Sequence, residues 1–496
     1  MNVLGISAGF HDAGVAGIQD NKIVFASHSE RYSKIKHDAR LNQQIVDECL
    51  SQIGKPDVIA YYERPWLKKT RQLYAGQWDD FLTGWSVRKI VNEVDPKGLL
   101  QDVPIKTFPH HKSHAAAGFQ TSPYKDATVV VIDAIGEWDT MTIWDARYDS
   151  KGNAKYRKLW SQQYPHSIGL LYSAFTKEVG LRPLDEEYIL MGMAAYGNSY
   201  FRDLYRSILI EDPYTLTFKH NLHLGLPYHN DYGDHQYDIA ASAQELTELL
   251  IRIVIQRARK LGQSKNLVYM GGVALNCKAN SELGNYFDSV WIMPNPGDAG
   301  SSLGAAALAY GKRLEWQDAY LGYDIKGPYP IKEIISELMN TKIVGVANGR
   351  AEFGPRALGN RSLLADPRGP EIKDQVNAIK RRQKFRPFAP VILEEFVDEY
   401  FMMPTNWHTS DYMQITAPCR EPGLFPAIVH QDGTSRVQTV PKNSNSGIRQ
   451  LLEQWYTWTG CPMLLNTSLN IRGEPMVNDR SDADRFEKKY GVRVLS

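Results

Sequence analysis

The sequence predicts an α/β protein in which two related α/β halves are followed by a smaller α/β domain. Three observations predict it. Apolar, strand-like runs end in Gly-rich turns in both the first and the second part of the chain, at "NVLGIS" before "AGFHDAG" and again at "LVYMGG". Helical patterns such as "LNQQIVDECLSQIG" alternate with these runs. A Pro- and Gly-containing segment, "GYDIKGPYPIKE", then precedes sequence dense in Arg, Gly and Pro. At 496 residues the chain exceeds one ordinary core.

Taken in order, "NVLGIS" and "KIVFASHSE" read as a hairpin around a small-residue turn, and the "LNQQIVDECLSQIG" helix closes on a Gly. "DVIAYYE" reads as a strand. "DATVVVIDAIGEWDT" is a buried strand running into a turn, with "TMTIWDARYD" as its hairpin partner. The pattern partly recurs in "LVYMGGVALN" and in "SVWIMPNPGDAGSSLGAAALAYG", a strand, a loop and a small-residue helix. The halves are read as roughly 1–150 and 155–325, the Pro/Gly segment as a linker, and 335–496 as the second domain. Glycines after apolar strands let backbone N–H groups approach phosphate oxygens, and a following helix N-terminus adds a favourable dipole. The duplicated actin-like (ASKHA) fold handles nucleotides this way. Each such glycine taken singly is also an ordinary turn.

Lys and Arg number 57 against 56 Asp and Glu, so nothing global draws the chain to nucleic acid or to an anionic membrane. The four cysteines are far apart and form no CxxC pair, which predicts a reducing, cytoplasmic setting. The N-terminus reads as a strand rather than a signal peptide, and no apolar run approaches the ~20 residues of a membrane span.

Three of the thirteen histidines fall in "FPHHKSHAAAGF". A helix starting after Pro109 puts His110 and His114 on one face, a recurring metal-binding spacing, with His111 pointing elsewhere. A hydrogen-bonded polar face is the plain alternative. Asp133 ends "ATVVVID" and Asp298 sits in "NPGDAG", positions where functional groups collect in open α/β sheets and where caps and turns also use Asp. Two His and two Asp suit Fe(II), Mn(II) or Zn(II), with positions left for a phosphate oxygen. Towards the C-terminus, Lys380, Arg381, Arg382, Lys384, Arg386 and Arg436 are interleaved with apolar residues and followed by "NTSLN". A solvated charge run is the default for such a cluster, but the interleaving sets the cations against a folded surface and guanidinium forks match phosphate; with the charge balance neutral, a small phosphorylated ligand is favoured over nucleic acid.

The ordered motifs "GGVALN", "EFGPRALGNRS", "KFRPFAP", "HQDGTSRVQTV" and "NTSLNIRGEP" resemble the O-carbamoyltransferases of nodulation-factor, cephamycin and aminoglycoside biosynthesis. The likeness begins at "LGISAGFHDAG" and "ERYSKIKHD" and runs nearly to the end of the chain. It implies an actin-like transfer domain followed by a YrdC-like domain. The YrdC-like domain takes carbamoyl phosphate to carbamate and phosphate, then joins carbamate to ATP, Mg²⁺ accompanying the nucleotide. The product is carbamoyl-adenylate. The actin-like domain holds that intermediate on a divalent metal, Fe²⁺ first with Mn²⁺ or Zn²⁺ as alternatives, and passes the carbamoyl group to an acceptor hydroxyl.

The resemblance places metal ligands at His110, His114, Asp133 and Asp298, and adenylate contacts at Gly136, Gly271, Gly272 and Asn276. It places phosphate-handling groups at Arg356, Lys380, Arg386, Arg436, Ser468 and Asn470, with Lys380, Arg386 and Arg436 taking part in catalysis. His11 and Asp12 fall where the family handles the acceptor; either is a candidate base for the alcohol proton, and a turn role for Asp12 weighs equally. Two departures stand out: Ala134 where the family has Gly, and Ile189 where it has Lys. The expected acceptor is a sugar or other natural-product hydroxyl, with a hydroxymethyl-pyrimidine, free or in DNA, as a further option. The aromatic, basic stretch at about 60–100 is suspected of facing it, against a plain surface subdomain packing its own Trp residues. The competing readings are a fused tRNA threonylcarbamoylation enzyme and a non-catalytic actin-like ATP switch. A homodimer is compatible with the sequence.

Overall fold

The computed structural model describes residues 1–78, 81, 86–227 and 235–496. Residues 79–80 and 82–85 of the suspected acceptor stretch therefore lie outside the described residues. The chain divides into two compact units, the first made of Met1–Ser29, Ala39–Ala279 and Asn285–Gln317, the second of Glu30–Asp38, Asn280–Gly284 and Asp318–Ser496.

The first unit holds two five-stranded sheets. One contains β1 (Asn2–Ser7), β2 (Gly14–Gln19), β3 (Lys22–His28), β4 (Val58–Tyr61) and β5 (Ile105–Thr107) in the order β3-β2-β1-β4-β5. The other contains β6 (Asp126–Gly136), β7 (Asp139–Tyr148) and β8 (Ala154–Gln163). After a short hairpin of β9 (Ile210–Asp212) and β10 (Thr217–Phe218) it adds β11 (Asn266–Met270) and β12 (Ser289–Trp291). Its order, β12-β11-β6-β7-β8, is the same series read from the other edge. The senses match too. Each sheet opens with an antiparallel meander, and its first strand is flanked by a parallel pair, β4 and β5 in one, β11 and β12 in the other. Parallel pairing needs a long crossover, and helices Gln43–Ile53 and Gln236–Leu261 lie in the segments leading to β4 and β11. The duplication that an actin-like fold requires is thus present in the pairing.

Two local expectations are corrected. "NVLGIS" does not form a hairpin with "KIVFASHSE"; "GVAGIQ" inserts between them as β2, because its alternate small residues can be buried on both faces. The β6–β7 pair, read as the end of the first half, hydrogen bonds to β11 in the second sheet, so the second series opens at Asp126 rather than near 155.

The second unit carries a six-stranded sheet of β14 (Ile343–Ala347), β16 (Arg361–Ala365), β17 (Ala389–Leu393), β20 (Gln438–Val440), β21 (Met463–Ser468) and β22 (Val494–Leu495), ordered β20-β17-β21-β16-β14-β22. Beside it are two pairs, β13 (Tyr320–Ile325) with β15 (Gly349–Glu352), and β18 (Thr416–Pro418) with β19 (Thr434–Arg436). Alternate residues enter different apolar clusters: Leu363 and Ile392 one, Leu364, Val391 and Leu393 the other. Both faces are therefore buried, as the period-2 pleat requires. The presumed linker is part of this unit. "GYDI" belongs to β13 and "IKE" opens helix Ile331–Thr341, so its glycines and prolines punctuate a strand–helix turn.

Candidate functional site

The metal-spaced histidines do lie on a helix, His110–Thr121, buried along nearly its whole length. Its alanines suit that position, since a helix without an exposed apolar–polar division belongs inside. Pro109 takes the cap position before it, with φ −60° and ψ 135°. Asp133 lies towards the C-terminal end of β6, and Asp298 lies in the turn that leads from β12 into helix Ser301–Tyr310. Asp133 thus lies in the last part of its strand and Asp298 in the loop after β12, on the C-terminal side where open α/β sheets leave their crevices.

The four side chains converge. His110 Nε2 is 3.1 Å from His114 Nε2, 3.3 Å from Asp133 Oδ2 and 3.2 Å from Asp298 Oδ1. His114 Nε2 is 3.4 Å from Asp133 Oδ2 and 3.2 Å from Asp298 Oδ1. Burial alone would keep the His110 imidazole neutral, yet Asp298, Asp133 and Glu63 outweigh it and hold its pKa well above the ordinary value. Burial likewise opposes charge on His114, and bonds to Asp133 and Asp298 raise its pKa. Burial also opposes charge on both aspartates, but the two imidazoles pull each carboxyl below its usual range. Two buried carboxylates facing two imidazoles require positive charge, as protons or as a cation.

The residues fit a metal ion. His114 Nδ1 donates to the Pro296 carbonyl at 3.0 Å, so in the neutral ring the Nε2 lone pair faces the cluster. Four ligand atoms on a first-row ion with bonds of roughly 2.0–2.2 Å stand about 3–3.5 Å apart, the spacing seen here. An N₂O₂ set suits such ions.

Other expected residues surround the cluster in different roles. His11 Nε2 lies 3.8 Å from Asp298 Oδ2, and its Nδ1 meets Asp12 Oδ2 at 2.9 Å. Burial would lower the His11 pKa, but the Asp12 bond and the Asp298 charge raise it to about 9. Asp12 itself has a φ of 51°, the left-handed turn conformation that Asp tolerates. The backbone N–H of Gly272 donates to Asp133 Oδ1 at 3.1 Å, fixing the carboxylate whose other oxygen faces the histidines. Gly271 has a φ of 93°, and a Cβ there would stand 2.1 Å from the Ile132 carbonyl oxygen. Gly136 packs against imidazoles: a Cβ would meet His110 Cδ2 at 2.4 Å and His111 Cδ2 at 2.5 Å. The Asn276 amide exchanges two hydrogen bonds with Gln244, at 3.0 and 3.1 Å. Ile189 is 1% exposed and completes the core where a lysine was expected. Ala134 is half-buried, and its carbonyl accepts from Ser167.

Sequence reasoning missed Glu63, which lies just beyond β4 as Asp133 lies near the end of β6; a carboxylate close to a strand end was the available signal. It also set His111 aside. That ring is buried, and its Nδ1 lies 3.0 Å from Thr142 Oγ1, which accepts from the Trp144 indole. Burial, with the His110 charge adding, holds its pKa well below the ordinary value.

In the second unit, sheet topology gathers the C-terminal candidates. Ser468 ends β21 and pairs with Ser362 of β16, while β17 starts opposite Asn466 and β20 starts opposite Val391. Arg356, Arg386, Arg436, Ser468 and Asn470 thus flank strands at one end of the sheet. The Lys380 ammonium meets Ser468 Oγ at 3.2 Å, the Asn470 carbonyl at 2.9 Å, Asn470 Oδ1 at 3.0 Å, and the Ser468 carbonyl. Burial, with Arg382 and Arg386 adding, holds its pKa well below the usual lysine range. Its three N–H bonds are thereby committed to the Ser468–Asn470 turn.

Residues 2–75 and 80–307 match the family model "Carbamoyltransferase N-terminus", and residues 335–496 match "Carbamoyltransferase C-terminus". An uncharacterised Synechocystis protein, sll1178, is 34% identical over 98% of this chain and 94% of its own. The nodulation protein NolNO of Sinorhizobium fredii is 30% identical over 95% of this chain and 76% of its own. The 3'-hydroxymethylcephem-O-carbamoyltransferase of Amycolatopsis lactamdurans is 29% identical over 97% of this chain and 95% of its own.

Proposed function

This chain belongs to the carbamoyltransferase family, and from that premise we propose that it is an ATP-dependent O-carbamoyltransferase working in two stages. The observation that carries the reading is the buried cluster of His110, His114, Asp133 and Asp298 in the first unit, together with a separate group of cations and amides at one sheet end of the second. In the first stage, assigned to the second unit as a YrdC-like domain, water cleaves the C–O–P linkage of carbamoyl phosphate, giving carbamate and phosphate. The carbamate oxygen then attacks the α-phosphorus of ATP, releasing pyrophosphate and leaving carbamoyl-adenylate. Arg356, Arg386 and Arg436 serve by preorganised charge around the phosphates. Lys380 shapes the Ser468–Asn470 turn that completes the site.

In the second stage an acceptor alcohol attacks the carbamoyl carbon, AMP departs and a carbamate ester remains. Carbamate is a poor electrophile because its carboxylate is resonance-stabilised, and the adenylate supplies the leaving group. A divalent ion, Fe²⁺ first among the candidates, supplies Lewis acidity towards the departing phosphate when bound. His110, His114, Asp133 and Asp298 hold it, and Gly272 keeps Asp133 oriented. His11 and Asp12, bonded to each other beside the cluster, are the pair assigned to receive the alcohol proton, His11 in the neutral form that a cation on Asp133 and Asp298 would favour. The cephem relative's name specifies a hydroxymethyl acceptor. A hydroxyl on a sugar, natural product or hydroxymethyl-pyrimidine is the acceptor class proposed for this chain.

The test is an acceptor panel incubated with labelled carbamoyl phosphate and ATP. Label should move to a hydroxylated acceptor with release of AMP and pyrophosphate. His114→Ala should still release pyrophosphate but transfer no label. Full transfer by His114→Ala after metal removal would overturn the metal role, and pyrophosphate-free transfer by the wild type would overturn the adenylate route.

A further inference from the structure

We propose that Glu63 is a positioning residue for the metal site. In this reading it accepts the Nδ1 proton of His110 so that the Nε2 lone pair faces the ion, and Lys68 fixes the carboxylate in turn. The inference rests on the metal reading above and extends it to residues outside the four ligands.

His114 already has a partner behind it, the Pro296 carbonyl at 3.0 Å from Nδ1. His110 Nδ1 is buried and has no hydrogen-bond partner among the described residues. Glu63 Oε2 stands 3.8 Å from it, just outside hydrogen-bond reach. Glu63 is 2% exposed, and its other oxygen accepts from the Lys68 ammonium at 2.9 Å. A buried carboxylate needs compensation on both oxygens; Lys68 supplies one side, and the imidazole N–H is positioned for the other. Closing that gap needs a shift of less than 1 Å. A carboxylate behind a ligating imidazole fixes its tautomer and raises its basicity. The Lys68 ammonium also lies 3.5 Å from the Gly9 carbonyl and 5.3 Å from the Phe10 ring centroid. The same pair therefore ties the end of β4 to the loop carrying His11.

The test uses the full chain, stripped of metal and titrated with Co²⁺ alone. Affinity is read by chelator competition and ligand geometry by visible absorption. Glu63→Leu combined with Lys68→Met removes both charges, leaving neither buried and unpaired. It should bind Co²⁺ roughly 10–100-fold more weakly, with a changed absorption band. Glu63→Gln keeps an oxygen able to accept from Nδ1 and should fall between the two. Equal affinity and an unchanged band in the folded double variant would overturn the assignment. If the double variant does not fold, Glu63→Gln decides: wild-type affinity and band overturn the proposal, and a weakened, altered site supports it. A wild type that binds no stoichiometric Co²⁺ would instead overturn the metal reading itself.

Discussion

Gly136 shows how one hydrogen atom in place of a methyl group holds the candidate metal site together. Expected as an adenylate contact, it supplies the space in which the His110 and His111 rings lie. Interiors are close-packed, so a methyl there must displace a ring. Gly136→Ala should lose metal affinity by at least about tenfold, judged from the 10–100-fold cost of disturbing a ligand's support. Its pyrophosphate release should stay at the wild-type rate. Metal analysis of the purified variant beside a pyrophosphate assay checks both.

Among the elements, the β16 strand and the sheet end it shares with β21 bear the most on the function proposed for the second unit. Arg361 opens β16 and is fully buried, with no carboxylate in ion-pair contact among the described residues. Its guanidinium donates instead to the carbonyls of Asn478, Asn348, Gly349, Asn360 and Tyr323. A lysine has one donor group and cannot reproduce that fork. Arg361→Lys should therefore destabilise the protein by roughly 3–5 kcal/mol, the range for breaking a buried charged network, measured by denaturant unfolding. Arg436 ends β19 on the candidate phosphate-binding side. Arg436→Ala should lower pyrophosphate release by about 10²–10³-fold, the scale for losing one preorganised donor. Co²⁺ affinity of the first unit should be unchanged. A normal pyrophosphate rate would remove Arg436 from the site.

At the scale of the whole molecule, buried ionisable groups make stability depend on pH. Burial pushes the Asp411 carboxyl up to about 6, against the hydroxyl bond from Thr439 and with the Glu394 charge adding. The unfolded chain releases this proton near pH 3.9, so the folded state binds more protons between the two values. Stability from this group is complete below about pH 4 and is lost as pH rises through 6. Allowing for partial solvent screening, the loss is roughly 1–2 kcal/mol. Asp411→Asn should remove it, raising Tm at pH 8 by about 2–6 °C and leaving Tm at pH 4 unchanged. Thermal melts across that range test the sign.

Local pattern alone determined that the chain alternates strands and helices. It also determined that HxxxH stands on one helix face, that carboxylates end apolar strands, and that cations and amides crowd the C-terminal region. These are short-range properties, set by side-chain period and turn chemistry. Tertiary structure decided the rest. Strand pairing moved Asp126–Tyr148 into the second sheet and turned the presumed linker into β13 and a helix, because hydrogen-bond partners lie far away in sequence. It brought His110 to Asp133 and Asp298 across 23 and 188 residues, placed Glu63 behind His110, and closed the Ser468–Asn470 turn on Lys380. Which side chains share a buried, low-dielectric space depends on how the sheets and helices pack, and no local period carries that information.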